Sequence, residues 1–64
     1  MKSGQTVYTV NAKTNTVDEW TYMGIFRTPL TTLVHLRDGE MFCFLPINCV
    51  YETREKAEEI ANLK

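Results

Sequence analysis

Hydrophobic and polar positions alternate along most of the chain, and the alternation predicts strands. Thr6 to Val10 mixes β-branched and aromatic residues and predicts a first strand over 6–11. Ala12-Lys13-Thr14-Asn15-Thr16 is a polar turn, in which Asn15 tolerates the left-handed conformation. A longer second strand is expected over 17–26. Val17, Glu19, Thr21, Met23 and Ile25 fall on one of its faces, and Asp18, Trp20, Tyr22 and Phe26 on the other. Gly24 interrupts the second set and suggests a bulge or a sharp bend. Pro29 cannot donate to a ladder, so Arg27-Thr28-Pro29-Leu30 reads as a connection.

Asp38-Gly39 lies between two apolar runs and predicts a two-residue type I′ turn. Strands are expected on either side of it, over 31–37 and 40–45. In that register Arg37 faces Glu40, Leu36 faces Met41, His35 faces Phe42, Val34 faces Cys43 and Leu33 faces Phe44. One face then carries Val34, Leu36, Met41, Cys43 and Leu45 and is the expected interior. The other carries Leu33, His35, Arg37, Glu40, Phe42 and Phe44. Pro46 ends the fourth strand, and 47–51 reads as a short fifth.

A helix over 54–63 closes the chain. Thr53 is a good N-cap, and Glu55 in the first turn suits the helix dipole. Ala57, Ile60 and Ala61 form a narrow apolar stripe, with charged residues around the remainder. So short a helix is not stable alone and must dock on the sheet.

Short strands at turn spacings of roughly 8 to 12 residues indicate a mainly β chain: a small SH3-like barrel of about five strands with a C-terminal helix. The 64 residues form a single domain, 1–64. A chain of this length buries only about 60% of its unfolded surface, which makes added support from a metal, a disulfide or a second copy worth weighing. Cys43, Cys49 and His35 are too few for a structural zinc site, and no secretion signal favours a disulfide. Seven Lys and Arg stand against eight Asp and Glu, a net charge of −1 with no basic run. That balance argues against nucleic acid, whose affinity comes largely from phosphate neutralisation. No apolar stretch approaches the roughly 20 residues of a membrane span, and the first residues lack a signal-peptide core. A cytoplasmic protein without a membrane partner is the expectation.

No catalytic constellation is visible. His35 has no Ser or Cys nucleophile pattern around it, and Cys43 is expected to point inward, where a thiol stays protonated. Asp18 and Glu19 point to opposite faces of one strand, and Gly4, Gly24 and Gly39 are too scattered for a phosphate loop. The reading is of a non-enzymatic chain with no cofactor and no metal.

Two stretches carry a resemblance. Gly4-Gln5-Thr6-Val7-Tyr8-Thr9-Val10, followed by Val17 to Ile25, is one; Val50-Tyr51-Glu52-Thr53-Arg54-Glu55-Lys56-Ala57-Glu58-Glu59 is the other. Together they resemble short bacterial and phage proteins that close on a strand, a Thr cap and a helix of the pattern V-[FY]-x-T-[RK]-E-x-A-E. The resemblance implies an SH3-like barrel with a terminal helix and a phage or prophage setting. It implies no activity.

The remaining signal is the surplus of aromatics. Two arrangements satisfy Phe42 and Phe44: the helix covers their face, or the face is open to a partner. The functional expectation is a small protein–protein binding module using Trp20, Tyr22, His35, Phe42 and Phe44 as candidate contacts, or a free sheet edge. The alternatives are a barrel that stacks single-stranded nucleic acid on its aromatics and a structural homodimer.

Overall fold

The structure, a computed structural model, describes residues 1–62. Four strands, β1 (Thr6–Asn11), β2 (Thr16–Arg27), β3 (Thr32–Asp38) and β4 (Met41–Pro46), form an antiparallel meander in the order β1-β2-β3-β4. A 3-10 turn over Ile47–Cys49 leads to the C-terminal helix α1 (Arg54–Asn62). The mainly β character and the terminal helix are as expected, and position 63 of the predicted helix lies outside the described residues. The closed barrel is not formed, and the sheet is open.

The difference lies in the segment expected as a fifth strand. The β3–β4 ladder ends at the Leu33–Pro46 pair. The chain then tightens, with the Val50 N–H donating to the Ile47 carbonyl at 3.3 Å. Of residues 47–51, Tyr51 alone pairs with the sheet, exchanging two backbone hydrogen bonds of 2.8 Å with Tyr8. One bridge takes the place of the strand over 47–51.

The β3–β4 hairpin slides by two residues from the expected register. Leu33 pairs with Pro46, Val34 with Leu45, His35 with Phe44, Leu36 with Cys43, Arg37 with Phe42 and Asp38 with Met41. The turn is therefore Gly39-Glu40. Gly39 has φ +63°, whereas Asn15 is the one non-glycine residue with positive φ among those described. Positive φ at the first central position alone is the requirement of a type II′ turn rather than type I′. The Arg37 Nε–H donates to the Gly39 carbonyl at 2.8 Å and braces this turn. A shift of two residues preserves which side chains share a face, so the predicted inward and outward sets survive.

Val7, Val34 and Leu36 are fully buried, with Tyr22 and Val50 nearly so, and Trp20, Cys43 and Leu45 pack against them. Burying a side chain such as Leu36 contributes about 1.5–3 kcal/mol. Met41 belongs to this face by alternation but is 70% exposed, because it flanks the turn beyond the end of the core. The Trp20 indole N–H donates to the Thr9 hydroxyl at 3.0 Å, which satisfies the polar end of a half-buried ring.

Gly24 sits at a bulge. Tyr22 pairs with Leu36 and Gly24 with His35, leaving Met23 extra. At φ +154° Gly24 occupies backbone space that side-chain-bearing residues rarely enter. The inserted residue inverts the alternation beyond it. The bulge expected at Gly24 is present, but Phe26, expected on the face of Trp20 and Tyr22, pairs with Leu33 and faces away from them.

Helix α1 docks on β1 and β2. The Thr53 hydroxyl accepts from the Lys56 N–H at 3.2 Å, the expected N-cap. Ala57 and Ala61 are buried, and Ile60 is half-buried. Arg54 lies 5.6 Å above the Tyr8 ring and donates to Glu19 at 3.1 Å. Tyr8 and Glu19 are cross-strand partners. They identify the covered surface as the face opposite the Val7–Leu36 core, over its β1–β2 half.

Candidate functional site

The helix covers half of that outer face and leaves the other half open. Alternation along β3 and β4 puts Leu33, His35, Arg37, Phe42, Phe44 and Pro46 there, and the bulge adds Phe26 from β2. Phe26, Phe42 and Phe44 are 59%, 66% and 48% exposed, far more than the aromatics of the inner face. Of the two arrangements left open by the sequence, the structure has the uncovered one.

The rings are ordered by the sheet. His35 stands directly opposite Phe44, their ring centroids 4.8 Å apart and their planes 22° from parallel. Phe42 meets both edge-on, 6.0 Å from His35 and 6.4 Å from Phe44. Arg37 and Glu40 rim an open depression floored by His35, Phe42 and Phe44. A second depression, wholly apolar, lies between Phe26, Leu33 and Phe44. Gly24 pairs with His35 across the ladder, and the space where its Cβ would stand is open, with nothing within 4 Å.

The five candidates separate into two groups. His35, Phe42 and Phe44 are brought together on the outer face. Trp20 and Tyr22 point to the inner face, where Tyr22 is 8% exposed opposite Leu36, and they do not join the patch. Their burial follows from parity: Trp20 pairs with the fully buried Val7. Phe26 was missed as a candidate. Gly24 was the signal that could have revealed it, because a bulge there transfers Phe26 to the His35 face.

The site offers contact surface and little charge. Among the described residues, no three His, Cys, Asp or Glu gather in a way that would hold a metal ion. Both cysteines are free thiols, and burial pushes the Cys43 thiol pKa up. On the covered half, the hydrogen bond from Arg54 to Glu19 raises the guanidinium pKa further, but both groups are exposed and their pairing adds little stability. No helix among the described residues is long and apolar enough to cross a membrane. No family model matches the chain, and neither the curated proteins nor the solved structures give a significant match.

Proposed function

We propose that this chain is a small non-enzymatic binding module that engages a protein through the open aromatic half of its outer face. The observation that carries the reading is the position of α1, which lies over half-buried Tyr8 on β1 and β2 but stops short of Phe26, Phe42 and Phe44. Exposed aromatics held by a sheet make contact area at low entropic cost, because the strands already fix their backbone. The strand order, with a 3-10 turn returning one bridge to β1, supports an SH3-like scaffold left open rather than closed. A phage or prophage origin and a cytoplasmic location belong to the same proposal.

The test compares capture by the native chain, by Phe42→Ser/Phe44→Ser, and by Glu59→Lys on the helix. Support is a stoichiometric partner kept by Glu59→Lys and lost by the double variant. Equal capture by all three removes the reading.

A second reading has one observation in its favour. Arg37 beside stackable rings resembles a surface on which single-stranded bases could lie. Asp38 follows Arg37, Glu40 lines the same depression, and the chain carries net charge −1, which oppose it. A fluorescence titration with oligonucleotides at low salt decides: binding that weakens as salt rises supports it, and an unchanged signal removes it.

A further inference from the structure

We propose that the partner of the open face is a second copy of this chain, joined through the free edge of β4. The inference deepens the binding-face reading and rests on it. Among the described residues β4 pairs with β3 alone, so its other side is an unpaired edge. Proteins usually blunt such an edge with lysines, bulges or inward charges. The strand Met41-Phe42-Cys43-Phe44-Leu45-Pro46 carries no charge, and its one blunting residue is Pro46 at the end.

The backbone of β4 sets the register. In an antiparallel ladder, paired residues alternate between hydrogen-bonded and non-bonded. Asp38 and Met41 flank the two-residue turn, so theirs is a bonded pair, as are Leu36 with Cys43 and Val34 with Leu45. The N–H and C=O groups of Phe42 and Phe44 therefore point to the free edge. Pairing Phe42 of one copy with Phe44 of the other satisfies all of these groups mutually and centres a two-fold axis on Cys43.

The sequence fits that axis. Met41-Phe42-Cys43-Phe44-Leu45 reads as an apolar palindrome about Cys43, so Met41 meets Leu45, Phe42 meets Phe44, and Cys43 meets itself. No like charges oppose one another, and a two-fold interface of this kind closes after one partner is added. The rings of both copies would lie side by side on one continuous outer face. Phe42, Phe44 and Met41 are 66%, 48% and 70% exposed. At about 200 Å² per large side chain they offer roughly 350–400 Å² per copy, against about 800 Å² per partner in a standard interface. The dimer is accordingly weak and concentration-dependent.

Cys43 reports on the axis. It would form a non-bonded cross-strand pair with its own copy, at a Cα separation of about 4.5 Å, within disulfide range. The experiment combines sedimentation up to about 1 mM chain with diamide oxidation of the Cys49→Ser protein. Diamide accepts the two electrons and two protons released as the two thiols join. A reversible dimer that becomes covalent through Cys43, and does not in denaturant, is the expected result.

A monomer throughout that range, with no more covalent product than the denatured control, overturns the dimer and leaves the aromatic face to be tested with foreign partners. A dimer that bridges through Phe26→Cys in the Cys43→Ser/Cys49→Ser background, while Cys43 stays unbridged, overturns edge pairing in favour of face-to-face stacking. A Cys43-bridged dimer that persists in Phe42→Ser/Phe44→Ser keeps the edge and removes the aromatic reading.

Discussion

His35 and Phe44 are direct cross-strand partners whose rings stack 4.8 Å apart in the open half of the outer face. The stack is anchored from below, since Val34 and Leu36, the neighbours of His35 on β3, are fully buried on the opposite side. A ring pair of this kind contributes about 0.5–1.5 kcal/mol beyond its area. His35→Ala should therefore lower stability by about 1 kcal/mol in urea unfolding and leave the far-ultraviolet dichroism unchanged. A loss of all structure would mean that His35 belongs to the core.

Gly24 is required for its backbone and not for space. A Cβ there meets nothing within 4 Å, yet φ is +154°. Gly24→Ala should cost about 1–3 kcal/mol, read as a lower urea midpoint with an unchanged slope. An unaffected midpoint would show that the bulge, and with it the placement of Phe26, is wrong.

Thr9 is buried and accepts the Trp20 indole hydrogen bond. Thr9→Val keeps the shape and removes the acceptor, so stability should fall by about 1 kcal/mol. Trp20 fluorescence should shift in the folded state. A neutral substitution would place the indole N–H in water.

Much of the architecture was legible because alternation needs only parity. Val34 and Leu36 against His35 and Phe42 sort correctly even though the hairpin is two residues out of register. The slip arose because Asp-Gly was read as the two central residues of the turn, whereas Gly39 alone takes positive φ and Glu40 follows it. Trp20 and Tyr22 share a face, as expected, but alternation within one strand does not say which face is covered. That depended on their pairing with Val7 and Leu36. The seat of α1 was illegible for a related reason. Arg54 meets Glu19 from 35 positions away, and no local pattern announces such a contact.

The two thiols should differ in reactivity. Cys49 is exposed, while Cys43 is partly covered and burial raises its pKa. A thiol held above its ordinary pKa stabilises the fold fully below the unfolded value. The contribution is lost as pH climbs through the folded one. Alkylation at neutral pH should modify Cys49 first, with Cys43 catching up in denaturant. Cys43→Ala should lessen the alkaline decline in stability. Equal labelling rates in the folded protein would contradict the placement of Cys43.

Phe42 and Phe44, 66% and 48% exposed, are surplus to the fold. The decisive comparison is urea unfolding of Phe42→Ser/Phe44→Ser beside Leu36→Ala, at a concentration low enough to hold the chain monomeric. The double variant should stay folded and lose no more than about 1–2 kcal/mol, while Leu36→Ala should lose about 2–5 kcal/mol. A double variant that unfolds as readily as Leu36→Ala would mean that those rings are core, and the open binding face would not exist.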